Sequence, residues 1–301
     1  NLNNMEKLVH SSIAKIQRLE QIGLKLSHND CRMILFGQLL TILDEDLIQN
    51  MPHLIEESLS ILNYQIQSQC YIENVYQLIV EGKTSFGNGT EVNVLNEAGG
   101  REVKIFDKLS AHLAYISALY RHRPHLIEKI NSMINDYVVS QTSTQGIIGT
   151  GTVITNSGAI KNVKFGDYCK IKNVAELFEG SVCSSELNPT TIGTGVIARN
   201  FIFGEGCKIY DNVLIDKCFV GECCEIGKQY SAIDSLFFCN SQLFHGESTA
   251  IFGGPFTTTH HKSTLLIGCM FSFYNAGSGT NQSNHMYKLG PVHQGIFERG
   301  V

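Results

Sequence analysis

The chain has 301 residues, 43% of them hydrophobic, enough to bury a large core in one big domain or two modest ones. Its 23 basic and 28 acidic residues give a formal charge of -5 with no long run of either sign, so nucleic acid is not an expected partner. No charged-then-apolar leader opens the sequence and no apolar stretch approaches the ~20 residues that cross a bilayer, so a soluble, cytoplasmic protein without a membrane partner is expected.

The first segment, residues 1–69, reads as mostly helical. Met5, Val9, Ile13, Ile16 and Leu19 form one apolar face, and Leu54, Ile55, Leu59 and Leu62 suggest another helix after Pro52; CRMILFGQL reads equally as a strand. A first β block is expected over 70–104. From Val80 the chain reads VEGKTS, FGNGTE, VNVLNE, placing Val80, Phe86 and Val92 six residues apart, with Thr84 and Thr90 in the fifth place.

Residues 105–140 interrupt this register. Phe106, Leu109, Leu113, Ile116 and Tyr120 recur at helical spacing, as do Leu126, Ile130, Met133 and Tyr137. Pro124 divides the two runs, and proline is tolerated in a helix's first turn but not inside one, which predicts two helices joined near Arg123. Such a pair would lie against the β region or cover an open end of it.

The main block, 141–301, repeats the register. FGDYCK, IKNVAE, LFEGSV is led by Phe165, Ile171 and Leu177, with Cys169, Ala175 and Ser181 fifth; FGEGCK, IYDNVL, IDKCF is led by Phe203, Ile209 and Ile215. A large residue first, often glycine second, and a small residue fifth describe a coil with corners, the glycine permitting the corner conformation. Ten cysteines would mark a disulfide scaffold in a short secreted chain, but here Cys169, Cys207 and Cys224 suit the fifth place as small, reduced hydrophobes. None forms a CxxC pair. The step from Ile215 to Val220 is five residues, not six, and Tyr230 is bulky for its place; corner loops or insertions are expected there.

These hexads resemble the hexapeptide-repeat family, whose chains wind into a left-handed parallel β-helix, three hexads to a turn. The resemblance implies a mainly β fold class, a left-handed parallel β-helix with N-terminal and inserted α-helices. Family enzymes that move acyl groups use a histidine near a corner as general base toward an acceptor hydroxyl or amine, chemistry open to an imidazole near neutral pH. A backbone N–H near glycine can then stabilise the oxyanion.

Five of the 11 histidines lie between His245 and His293, beside the polar stretch FYNAGSGTNQSNHMYKLGPVHQG, Phe273 to Gly295, which is too rich in asparagine, histidine and proline for a flexible linker. His285 reads equally as the base, oriented by Asn284 or Asn281, or as a histidine bonding a loop carbonyl. Asn281 and Lys288 are candidate substrate contacts. In TTTHHKST, at most one of His260 and His261 faces a given site; His261 is favoured, with Lys262 as a phosphate contact. His293 reads as structural and His245 as a solvated corner residue. NEAGGREV places Glu97 and Arg101 around a glycine pair, consistent with a polar pocket or an ordinary loop, and YRHRPH collects Arg121 and Arg123, which could meet phosphate or simply form a charged helix end. Glycine-rich stretches at Gly149 and Ala276 lack the lysine and Ser/Thr of a phosphate loop.

GTEVNVLNEAGGREV, KLSAHLAYISALYRHRP, KQYSAIDSLFF, THHKSTLLIG and SGTNQSNHMYKLGPVHQG together resemble, from about Ile72 onward, an uncharacterised bacterial hexapeptide-repeat family often labelled as related to sugar-nucleotide pyrophosphorylases, whose members continue past the position of Val301. The glycine-rich, lysine-containing signature of the pyrophosphorylases' nucleotidyltransferase domain is not in this sequence. The resemblance implies a homotrimeric transferase taking an acyl group from acetyl-CoA or another acyl-CoA to a sugar or sugar-nucleotide. The alternatives are a non-catalytic β-helix scaffold and a three-histidine zinc enzyme like the carbonic anhydrases built on this helix; the spacing picks out no histidine triplet, so no metal ligand is assigned.

Overall fold

The computed structural model describes residues 61–96, 99–283 and 295–301, and of the stretch between the last two the backbone of 285–286 and 290–291. The chain divides into two compact units, Asn1–Leu62 and Asn63–Val301, and the second carries the architecture. The helical face expected at Met5–Leu19, the ambiguous CRMILFGQL, and Leu54, Ile55 and Leu59 of the second face lie outside the described residues, whereas Leu62, expected to complete that second helix, stands in a strand instead. Ile61–Leu62 and Tyr64–Ile66 are strands, so β structure starts earlier than the expected boundary at residue 70.

Short strands stack in parallel to form one long sheet. Thr191 stands opposite Lys208, Lys208 opposite Glu225 and Glu225 opposite Gln242, an advance of 17 residues each time. The inward residues Phe203, Ile209, Ile215, Val220, Ile226, Ala232 and Phe237 are each at most 2% exposed, and their spacing runs six, six, five. The five-residue step at Ile215 is therefore the regular third side of every such coil, and the expected 18-residue turn is one residue too long.

Each coil has three corners, most of them held by left-handed residues. One column runs through Asn162, Glu179, Asn200, Lys217, Asp234, Ala250 and Ile267, with φ between 48° and 57°. A second contains Asn156, Asn173, Asn212, Gln229 and His245, and a third Tyr168, Gly206, Cys223, Asn240, Phe256 and Phe273. Asparagine and aspartate tolerate this region best, whereas a β-branched residue such as Ile267 adopts it only where packing enforces it. The glycine in the second hexad place has a different task from the one expected. Gly204 does not have a positive φ; a Cβ there would lie 2.7 Å from the carbonyl carbon of Gly221 in the next coil, so its bareness lets coils stack.

The fifth-place cysteines behave as expected: Cys169, Cys207 and Cys224 are at most 1% exposed, and all described cysteines are free thiols. Ala175 differs, standing exposed while Val174 fills the interior, because the Asn173 corner turns one residue early. Tyr230 is fully buried, its hydroxyl 2.5 Å from Ser248 Oγ. Its coil is shorter than the others, since Ser231 stands opposite Glu247, an advance of 16.

The first excursion from the coil, after Tyr71–Ile79, holds a hairpin and two helices. Glu91–Asn93 pairs antiparallel with Glu102–Lys104. The register read at Val80, Phe86 and Val92 therefore does not continue as a coil, although Val92 is fully buried. Helix α1 (Ala111–Leu119) begins at Ser110, whose side chain accepts from the N–H of Leu113. Helix α2 (Pro124–Gln141) starts at the proline that divides the two apolar runs. Its core face is Ile127, Ile130 and Ile134, one row round from the expected one; Leu126 and Met133 are 42% and 64% exposed.

Helices and hairpin lie along the third side of the coils. Val94, Leu95, Ile105, Ala114 and Ala118 share a core with the outward-facing Ile202, Phe219, Leu236, Phe252 and Cys269. Burying one such large side chain contributes ~1.5–3 kcal/mol, and strands covered on both faces explain the unbroken apolar runs FIF and CFV. No helix among the described residues is long and apolar enough to cross a membrane.

Candidate functional site

A continuous column runs along the described coils: Ile79, Lys161, Phe178, Arg199, Asp216, Ile233, Thr249, Leu266 and Ser283, each paired with the next. The first excursion leaves just after Ile79. The polar terminal stretch leaves just after Ser283, since Leu266 faces Ser283 while Gly268 faces Gly295. Where the preceding coil turns on the single residue Ile267, the last coil carries an antiparallel pair, His285 opposite Pro291 and Met286 opposite Gly290. Both excursions depart from the same corner.

The first one returns to that corner. Leu95 N–H donates to Ala250 O at 2.9 Å and Asn93 N–H donates to Asp234 Oδ1 at 3.1 Å, seating the hairpin on the two corner residues. Ala250 follows Thr249, two stackings before Ser283, or about 10 Å at ~4.8 Å per strand. The middle of α1 packs on the adjoining side, where Tyr115 stands edge-on to Phe271 with ring centroids 5.6 Å apart, and just past the helix Arg121 is paired with Glu102 of the hairpin at 3.2 Å. Arg121 is thus a tie between helix and hairpin rather than a free phosphate contact. The backbone N–H of Gly100 and the Arg121 guanidinium hold the Glu102 carboxyl below its usual range.

The sequence candidates distribute around this end of the molecule. Asn281 is exposed in the last coil, in register with Thr264, which donates from Oγ1 to Glu247 Oε1 at 2.9 Å. His261 and Lys262 are exposed at the neighbouring corner, which opens the same side of the coil. The carbonyl of His261 accepts from Thr259 Oγ1 and that of Lys262 from Gly279 N–H, leaving the imidazole and the ammonium turned to solvent. His260 is structural: its Nε2 lies 2.7 Å from Gln242 Oε1 and its ring packs against Phe244 at 5.4 Å. His245 is an exposed corner residue, as expected. Arg101 is half-buried at the base of the hairpin turn. Asn284, Lys288 and Glu97 lie outside the described residues, as do His293 and the side chain of His285. Among the described residues no group of three or more His, Cys, Asp or Glu could hold a metal ion.

The corner anchors Asp234 and Ala250, and the Tyr115–Phe271 contact, were not foreseen in the sequence. The available signal was the outward apolar series Ile202, Phe219 and Leu236, which a solvent-facing side would not carry.

The family profile described as Domain of unknown function (DUF4954) matches residues 36–301. The chain belongs to this family. The DUF4954 match begins well before Ile72, where the resemblance was expected to start, and takes in both excursions. An uncharacterized protein of Treponema pallidum (strain Nichols) is 29% identical over 161 residues, which are 50% of this chain and 22% of that relative. The match therefore spans about a fifth of the relative's length. No solved structure gives a significant match.

Proposed function

We propose that the chain is a hexapeptide-repeat transferase whose coil is a left-handed parallel β-helix, and that it moves an acyl group from acyl-CoA to a sugar or sugar-nucleotide acceptor. A histidine, His285 first and His261 second, takes the proton from the acceptor hydroxyl or amine as that atom attacks the thioester carbonyl. A backbone N–H stabilises the oxyanion, and the CoA thiolate leaves as the acyl–oxygen or acyl–nitrogen bond is completed. Asn284 orients the base, Asn281, Lys288, Glu97 and Arg101 contact the acceptor, and Lys262 meets a phosphate. The protein acts in the cytoplasm as a homotrimer, with sites in the clefts between neighbouring β-helices.

One observation carries this reading. Two excursions, the first docked through an apolar core and the second polar in sequence, leave the same corner of a regular parallel coil, and the first is seated two stackings from the second. A rigid scaffold that concentrates its irregular, polar segments at one corner supports a site better than it supports a plain spacer.

Thermal unfolding with acetyl-CoA, with UDP-sugars and with a chelator tests it. A ligand at ~100 times its dissociation constant stabilises the fold by ~2.7 kcal/mol. A shift with acetyl-CoA is the expected result. Destabilisation by the chelator would replace the reading with a metal enzyme, and no shift in any arm would replace it with a scaffold.

A further inference from the structure

A second place on the molecule, at the opposite end of the solenoid, has the make-up of a binding site. A hollow of about 220 Å³ opens where the last turn of α2 meets the first coils. At ~30 Å³ per water it holds roughly seven waters, or one ring-sized molecule.

Its charges are matched. Lys164 is the charged side chain of the wall, and its Nζ donates to Gln141 Oε1 at 3.2 Å. Beside it lies the C-terminal end of α2, which carries a partial negative charge of ~0.5. Ser140 Oγ and Thr142 Oγ1 already donate to the carbonyls of Tyr137 and Val138 at 2.6 and 2.7 Å. The helix C-terminus offsets about half of the lysine's charge, so the hollow admits a neutral ligand and binds an anion less strongly than a lone lysine would.

Two of its side chains with no described partner are amides. Gln65 and Gln145 line the hollow, are exposed, and hydrogen-bond to no described residue through their side chains. Each carboxamide offers two donors and an acceptor, the complement of a hydroxyl that both gives and takes. Between them stand Ile147, 36% exposed, and the buried Phe86. Phe86 is held at a φ of 54° by an N–H bond to Thr84 Oγ1 and a carbonyl bond from Ser181 Oγ. An apolar floor with amides on the rim matches a pyranose, which has a C–H face and a ring of hydroxyls.

We propose that this hollow binds a single neutral monosaccharide unit, bracketed by Gln65 and Gln145 over Ile147. The site is independent of the acyl-transfer reading.

Ligand-observed saturation-transfer NMR on the 301-residue chain tests it, with glucose and N-acetylglucosamine as probes and acetate and inorganic phosphate as anionic counterparts. The expected result is a transfer signal from at least one sugar, with affinity of the order of 1 mM, that falls at least tenfold in the Gln65→Leu/Gln145→Leu variant. Both side chains are exposed, so an unchanged melting temperature shows that the variant is folded; Gln145→Ala alone serves if the double variant melts early. Absence of signal from both sugars, an undiminished signal in the folded variant, or displacement of sugar by phosphate would each overturn the proposal.

Discussion

Leu95 donates its backbone N–H to the carbonyl of Ala250 at 2.9 Å, and this bond returns the first excursion to its own corner six stackings beyond the point where it left. The neighbouring bond from Asn93 to Asp234 makes the seat a pair of contacts on consecutive coils.

Asp234 is the accessible lever on that seat. Asp234→Ala leaves a partly buried N–H unpaired and puts alanine at a φ of 48°, so it should destabilise the chain by ~1–3 kcal/mol. Asp234→Asn keeps an acceptor and tolerates the left-handed conformation, so it should cost well under half as much. Urea unfolding of the two variants measures the difference, and equal midpoints would show that the seat contributes nothing.

The two histidines separate by their effect on turnover. With acetyl-CoA and an accepted sugar, the alanine variant of the true base should lose about 10²–10⁴-fold in kcat. The other should change it by less than about tenfold. Steady-state kinetics of His285→Ala and His261→Ala, with melting temperatures as a folding control, assigns the role; two unaffected variants would remove both from catalysis.

Buried thiols predict the alkaline limit of stability. Burial pushes Cys169 and Cys224 up to about 12 and raises Cys207 well above its ordinary value of 9.0. These folded-state values exceed the unfolded one, so the folded chain holds more protons and stability falls as pH rises from about 9 toward 12. Denaturation midpoints taken across that window should decline, and less steeply in Cys207→Ser. In native protein, iodoacetamide should modify the exposed Cys223 long before these three.

The Glu102–Arg121 tie has the opposite sign. Its carboxyl is held below the ordinary range, so its contribution is present above about pH 4.3 and is lost as pH falls through the lowered folded value. Glu102→Gln should flatten that acid limb of the stability profile while leaving the slope above pH 9 unchanged.

Tyr230→Phe tests the irregular coil. Removing the hydroxyl leaves Ser248 without its partner inside the solenoid, at a cost of ~1–2 kcal/mol by calorimetry.

The coil interior was legible because Phe203, Ile209 and Ile215 obey a spacing that only a turned strand needs, and the place of Cys207 follows from volume alone. Pro124 marked the helix start for the same local reason. Spacing does not name a strand's partner, however. Val92 sits in register with Val80 and Phe86, yet it is buried by pairing with Val103 in a hairpin. In α2, LIEKINSMIN contains two overlapping helical rows, and only the contact with the coils selects Ile127 and Ile134 over Leu126 and Met133. The site was legible as three separate polar stretches. That two excursions leave one corner, with His261 and Lys262 at its neighbour, rests on the stacking of coils between Ile79 and Ser283, which no local pattern contains.

That stacking turns the solenoid into a ruler. Solenoids ordinarily gain and lose whole repeats, because each touches only its neighbours. Here the hairpin must span six stackings, about 29 Å at ~4.8 Å per step, to reach Ala250. A coil added or deleted between Lys161 and Thr249 would slide the seat one step past its hairpin, so the contact at Ala250 holds only for this number of coils.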